Sequence, residues 1–488
     1  MRQMMMAGLI GLVGLLELAS CAQADITLAK LFTDHMVLQR NATVRIWGTS
    51  EPNDTLTISF AGQTYSAQAN GQGEWSTTFP TGAEGGPFQL EVASEQTSAR
   101  LLLNDVMLGE VWICSGQSNM EWSVEQSLNP KLEIEQAKDF SNIRLFRVHH
   151  HSVPQPVTEF HKVNPWVNCS PDTVKSFSAV AYQFAKRISK EKKIPIGLIE
   201  TAWGGTRCEA WISANSLKQD PFFQPLLEHW LEADQPNSQH RPSNLYNGMI
   251  APLKGFAFRG VIWYQGEANV GRGAQFARLF PTLIADWRKQ LGEGSEFPFY
   301  FVQLAPFRYG NQPPEALPEV WDGQLKTFKS VPRTGMVVTT DIGNTKNIHP
   351  KNKQEVGRRL ALWALANEYS DLCQSPPTIV SGPIYDSMKV VDDYIELTFS
   401  HVGDGLEARG GTELTFFTIC GEDRQFQPAQ AEIVDGKIRV RAEGITKPVA
   451  VRFGWVDTAE PNLFNSAGLP ASPFRTDDFP LRSEGVNF

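Results

Sequence analysis

The sequence predicts an α/β protein: a parallel sheet covered by helices on both faces, with all-β segments before and after it. Five short apolar runs recur in the middle of the chain: Val111 to Cys114, Ile196 to Glu200, Val261 to Tyr264, Phe299 to Leu304 and Met336 to Thr340. Strands buried on both faces read as such runs. Between them lie stretches with helical spacing, Val180, Phe184 and Ile188, then Phe276, Leu279, Leu283, Ile284, Trp287 and Leu291. Alternating strands and helices imply parallel connections. Outside this region the period is two. Leu56, Ile58 and Phe60 alternate with Thr55, Thr57 and Ser59, and Ile395, Leu397 and Phe399 with Tyr394, Glu396 and Thr398.

At 488 residues the chain has room for two or three domains. The expected boundaries are 1–24 for an export signal, 25–105 for an N-terminal β domain, 106–372 for the α/β domain and 373–488 for a C-terminal β domain. In the first β domain, short strands and the Asn70-Gly71 hairpin signal suggest a sandwich. Further strands fit Ile438 to Val440 and Val449 to Phe453 in the last. The connection from Ser213 to Ile250 has few periodic signals and is expected to cross the surface near the site. A net charge of −9 argues against nucleic-acid binding.

Arg2 followed by the apolar stretch Ala7 to Leu16 reads as a targeting segment too short to span a bilayer. Leu18-Ala19-Ser20-Cys21 resembles a bacterial lipobox with Cys21 as the lipidated residue, while Ala22-Gln23-Ala24 is a competing cleavage site. Either route exports the protein, as a periplasmic form or as an outer-membrane or cell-surface lipoprotein. Beyond Cys21 five cysteines remain, none with the CxxC spacing of a zinc site, and Cys114 in its buried strand reads as an inert thiol.

The chemistry is carried by the turns at the strand ends. The first strand ends at Ser115-Gly116-Gln117-Ser118-Asn119, the second at Trp203-Gly204-Gly205-Thr206-Arg207, the third at Gln265-Gly266-Glu267-Ala268-Asn269, and the last leads to Asp341 and Ile348-His349-Pro350. In a parallel sheet these ends share one edge, where open α/β folds bind ligands. A serine, a histidine, a glycine turn and an amide-carboxylate cluster are the inventory of acyl transfer. Ser118 is the candidate nucleophile, and His349 the base, since neutral imidazole suits that role near pH 7. Pro350 fits the first position of a helix whose buried face is Val356, Leu360, Trp363 and Ala364. Gly205 offers an open backbone N–H and Asn269 a neutral amide to an oxyanion. His149-His150-His151 lacks spaced partners and reads as a packed or solvated stretch, not a metal site. Met120, two residues past Ser118, breaks the G-x-S-x-G pattern of an α/β-hydrolase.

The blocks Gly116-Gln117-Ser118-Asn119-Met120, Trp203-Gly204-Gly205-Thr206, Trp263-Tyr264-Gln265-Gly266-Glu267-Ala268-Asn269 and Ile348-His349-Pro350-Lys351-Asn352-Lys353 resemble the sialate O-acetylesterase family of SGNH hydrolases. The resemblance extends to Met36-Val37-Leu38-Gln39-Arg40 and to the tail from Asn462 to Phe474. It implies a three-layer α/β/α domain, here flanked by sandwich-like β domains, without metal or organic cofactor. It also implies a Ser118 nucleophile, a His349 base and an oxyanion hole of Ser118 N–H, Gly205 and Asn269. The substrate implied is an acetyl ester of a small molecule or oligosaccharide, sialic acid first, with acetylated xylan or pectin as alternatives. A catalytically dead glycan-binding lipoprotein is the reading from another class.

The position three before the histidine, where many SGNH hydrolases carry Asp, holds Lys346. Glu267 is the expected orienter of His349, against a Ser-His dyad held by a backbone carbonyl, with Asp341 farther off. Arg207 can meet a substrate carboxylate or pair with Glu209. Gln117, Gln265, Trp203 and Tyr246, with Trp122, complete the expected substrate contacts.

Overall fold

The computed structural model describes residues 25–191, 193–292, 294, 296–370, 373 and 375–488. The expected export signal and Cys21 lie outside the described residues.

An eleven-stranded sheet is built around one long strand, β1 (Arg100–Gly116). The other strands that position the site are β2 (Ile143–Val148), β3 (Val163–Asn168), β4 (Ile196–Ala202), β5 (Gly260–Tyr264), β6 (Phe299–Val302) and β7 (Thr334–Val337). Their order across the sheet is β3-β2-β4-β1-β5-β6-β7. All neighbours in this row are parallel except β3, which runs antiparallel to β2. The five apolar runs all fall in or at the ends of β1, β4, β5, β6 and β7. β2 breaks the apolar pattern with Arg144 and Arg147. Its two arginines are neutralised from a distance, Arg144 by Asp105 at 2.5 Å and Arg147 by Glu200 at 2.9 Å.

The helices that cover this sheet or flank the site are α1 (Ser118–Glu121), α2 (Ala179–Glu191), α3 (Gly273–Leu291), α4 (Ala316–Ser330) and α5 (Lys353–Asn367). Successive strand side chains point to opposite faces. Tyr300 stacks on Trp112 and on Trp363 of α5, and Trp112 meets Phe184 of α2. Phe299 and Phe301, one residue either side of Tyr300, meet Phe280 of α3. Helices α2 and α5 therefore cover one face and α3 the other. At Gly357 a Cβ would come within 2.5 Å of Gln183 Cβ, so α2 and α5 touch where α5 has no side chain.

Val356, Leu360, Trp363 and Ala364 are buried as their spacing predicts. Pro350 is not the first residue of that helix. Asn352 caps it instead, its side chain accepting from Glu355 N at 3.1 Å, so the helix begins at Lys353.

β1 passes through the expected boundary at 105/106. Its first residues are exposed or half-buried, and from Leu108 to Gly116 every residue is buried. Its N-terminal half pairs with Gly85–Ser94, which continues to Thr55–Phe60 and Gln63–Gln68, so this β segment is hydrogen-bonded into the central sheet. Leu56, Ile58 and Phe60 point inward as expected. The Asn70-Gly71 turn forms, but it joins strands of two different sheets, because Glu74–Pro80 pairs with Thr43–Thr49. The C-terminal segment holds two four-stranded antiparallel sheets, and Ile395 and Leu397 oppose Val440 and Ile438.

Gly116 pairs with Ala202 of β4 and with Tyr264 of β5, so the three central strands end level. Gly116 itself has φ +140°, and a Cβ there would lie 2.2 Å from Tyr264 O. We expect Gly116→Ala to cost on the order of 2–4 kcal/mol from strain and overpacking. The shift in a urea unfolding curve measures it; an unchanged midpoint would contradict the close approach.

Candidate active site

The level ends of β4, β1 and β5 bring three turns together. Trp203 N donates to Gly116 O at 3.1 Å and Gln117 N to Tyr264 O at 3.0 Å, stitching the turn before Ser118 to both neighbours. Ser118 opens α1, and its Oγ lies 2.8 Å from His349 Nε2. The imidazole stacks on the Trp122 indole with centroids 4.5 Å apart. Burial, and then the positive charge of Lys353, hold the His349 pKa below its ordinary value of 6.5.

Gly205 has φ +74° and open space around its Cβ position. Gly204 beside it comes close to Ser118, its Cβ position 3.2 Å from Ser118 Cβ, and donates its N–H to Glu121 Oε2 at 2.9 Å. Asn269 is fully buried and tightly aimed. Its Oδ1 accepts from Cys208 N and Gln265 Nε2, and its Nδ2 donates to Glu209 Oε2 at 2.9 Å, which leaves a second amide hydrogen. Glu209 is braced in turn by Arg272 at 2.8 Å, whose charge and hydrogen bonds keep its pKa low despite burial.

Several expected contacts are placed differently. No hydrogen bond joins Glu267 to His349 among the described residues. The Glu267 carboxylate turns inward and accepts from Asn119 Nδ2 at 2.5 Å. Asp341 is held bidentately by Arg359, both contacts at 2.7 Å. Lys346 is exposed. Gln117 and Gln265 are buried braces and not surface contacts: Gln117 Oε1 accepts from Gly266 N and Ala268 N, and Gln265 Nε2 donates to Thr206 O and Asn269. Tyr246 is also buried, in the turn Tyr246–Ile250, with its pKa raised by burial and then by Asp286, so it does not line an open cleft.

Arg207 does not pair with Glu209, which Arg272 occupies. It is half-buried, and no hydrogen bond or ion pair reaches its guanidinium among the described residues, although the Glu209 charge is near enough to act on it. Trp203 is half-buried beside Gly204, and His150 stacks flat on it at 4.3 Å. The histidine run diverges: His149 meets Asn164, His150 bonds Glu121 at 2.7 Å, and His151 stacks on His161. Glu121 and His150 thus brace the Gly204 turn. Sequence reasoning missed both, and also Asn119 and Lys353, although Glu121, Asn119 and Lys353 sit within a few residues of Ser118 or His349. Cys114, fully buried, has its thiol pKa raised well above the ordinary value by burial.

A family profile described as "Carbohydrate esterase, sialic acid-specific acetylesterase" matches residues 108–366. The crystal structure of a carbohydrate acetylesterase from Xanthomonas citri superposes with a TM-score of 0.85 at 36% identity, covering 93% of this chain and 100% of that one. Sialate O-acetylesterases from Homo sapiens and Pongo abelii are each 29% identical, covering 91% of this chain and 91% of their own. The profile spans the stretch from the buried half of β1 to α5, which holds Ser118, Gly205, Asn269 and His349. The chain belongs to the sialic acid-specific acetylesterase family of carbohydrate esterases and is a carboxylic ester hydrolase.

Proposed function

We propose that the chain removes O-acetyl groups from carbohydrates through an acetyl-enzyme on Ser118. The observation that supports this best is the 2.8 Å contact between Ser118 Oγ and His349 Nε2 at the level strand ends. Ser118 Oγ attacks the acetyl carbonyl carbon while His349 Nε2 takes its proton. The N–H groups of Ser118 and Gly205 and the spare amide hydrogen of Asn269 receive the oxyanion. Collapse breaks the bond to the sugar oxygen, and the imidazolium returns the proton to that leaving oxygen. Water then attacks the acetyl-enzyme, again losing its proton to His349, and acetate leaves with Ser118 restored. In this reading the helix-covered sheet is a three-layer SGNH-hydrolase core, and the β segments at 25–105 and 373–488 are its flanking sandwich-like domains.

The sugar we favour is acidic, with O-acetylated sialic acid first. Arg207, two residues beyond Gly205, is half-buried and its guanidinium makes no hydrogen bond or ion pair among the described residues, which suits a carboxylate that it can meet bidentately. Trp122 and Trp203 offer ring faces to the sugar. Acetate release should be faster from 9-O-acetyl sialic acid than from acetylated xylan or pectin, and Arg207→Ala should erase that preference. The reverse order in the wild type would move the substrate to a plant glycan. Export and lipid attachment at Cys21 belong to the same proposal, on the strength of Leu18-Ala19-Ser20-Cys21. Mass spectrometry finding an unmodified N-terminus at Asp25 would replace the lipoprotein by a soluble periplasmic form.

Ser118→Ala should lower turnover by up to about 10⁶-fold with the fold intact, as removal of the nucleophile does in other serine hydrolases. Retained ester hydrolysis in the purified variant would remove Ser118 from the reaction. The base must be neutral to accept a proton, and burial and Lys353 disfavour imidazolium. The acid limb of the kcat/KM profile should therefore have its midpoint below the ordinary 6.5. A midpoint above that value would mean that another group limits the reaction.

A further inference from the structure

We propose that Lys353 is a positioning residue that locks the His349 segment onto the Ser118 turn through the side chain of Asn119. This rests on the reading of Ser118 and His349 as the reacting pair. Lys353 is the first residue of α5, four after His349, and its side chain is fully buried. Its ammonium donates to Asn119 Oδ1 at 2.5 Å and lies over the Tyr264 ring. Asn119 follows Ser118 directly and is itself buried. Its Nδ2 donates to Glu267 Oε1 at 2.5 Å and to Ile348 O at 3.0 Å. One amide thus ties the turn after β1, the turn after β5 and the segment before α5. Ile348 O belongs to the peptide that carries His349 N, so the clamp acts on the backbone from which the imidazole projects.

A buried ammonium costs several kcal/mol unless its surroundings offset the lost hydration. A neutral side chain could fill the same volume without that cost, so the charge calls for a role. Glu267 supplies the counter-charge, and its Oε2 is buried with no hydrogen bond among the described residues. Burial presses on both groups, raising the Glu267 pKa and bringing that of Lys353 down to about 7. Tyr264 and Tyr309 also face Glu267, and burial keeps both phenols protonated. His349 is a further titratable neighbour, and the Lys353 charge disfavours its imidazolium. The ammonium is charged in the pH range below 7 where the acid limb falls. Lys353 therefore acts on His349 in two ways, by geometry through Asn119 and by its field.

The two effects separate in a pair of variants assayed on 4-nitrophenyl acetate, which carries no sugar. Lys353→Met should lower kcat ~10–100-fold, the scale of a small misplacement of reacting groups, with KM held within about twofold. It should also move the acid limb of kcat/KM to higher pH, because the charge that opposes imidazolium is gone. Asn119→Ala should lower kcat similarly and leave the acid limb at its wild-type position, since Lys353 stays. A wild-type kcat, or an unmoved acid limb in Lys353→Met, overturns the proposal. If Lys353→Met does not fold, a wild-type kcat in Asn119→Ala overturns it alone. Both outcomes are distinct from failure of the parent reading, which Ser118→Ala tests.

Discussion

The level ending of three parallel strands is the constraint on which the site depends. Gly116 is paired on one side with Ala202 and on the other with Tyr264, so Ser118, Gly205 and the Glu267–Asn269 turn leave the sheet from the same line. A slip of one residue in either ladder would turn every side chain of that strand to the other face. The strands cannot slip easily, because their side chains are locked on both faces. Trp112 packs between Phe184 and Tyr300, while Trp263 packs against Trp211 and Trp287. The aromatic core therefore places the polar edge, and it reaches that edge where Trp211 Nε1 donates to Thr206 Oγ1 at 3.1 Å.

At that edge, polar groups are aimed by other polar groups. Asn269 is held by three hydrogen bonds, and one of its partners, Glu209, is held by Arg272. The Gly204 turn is held by Glu121, and Glu121 by His150. The first relay runs through a fully buried carboxylate, Glu209, whose desolvation Arg272 offsets, which is the condition for keeping ions out of water; the second, through Glu121, is partly exposed. On the proposed mechanism, the preorganisation that an oxyanion site requires is thus set during folding, not during reaction.

Much of this was readable from residue types, for a physical reason. Buried parallel strands must be apolar, so β1, β4, β5, β6 and β7 announce themselves, and the polar turns after them can be located in turn. The Ser118–His349 pair and the turns carrying Gly205 and Asn269 are legible in that way. β2 was not, because Arg144 and Arg147 find their carboxylates 39 and 53 residues away in the chain. Glu267 shows the same limit at the level of one side chain. Sequence places it at the right strand end but is silent on direction, and it turns to Asn119 and away from His349. His150 had no signal at all, since only the fold brings the loop after β2 to Trp203.

With Glu267 facing inward, no carboxylate among the described residues holds His349. The imidazole is placed by the Trp122 stack and by Ser118, and its backbone by Asn347 Oδ1 and, at the preceding carbonyl, by Asn119. These contacts aim the ring without lending it negative charge. An acid beside the imidazole would stabilise imidazolium and raise its pKa. Here burial and the Lys353 charge act the other way. On the proposed mechanism the base is consequently weaker but stays neutral further into acid, so a larger fraction of the enzyme is competent at mildly acidic pH. The penalty falls on the imidazolium formed in the transition state, whose charge the developing oxyanion across the site offsets. A Ser-His pair arranged this way depends on donors aimed beforehand, and that is where the buried Glu209–Arg272 pair behind Asn269 is placed.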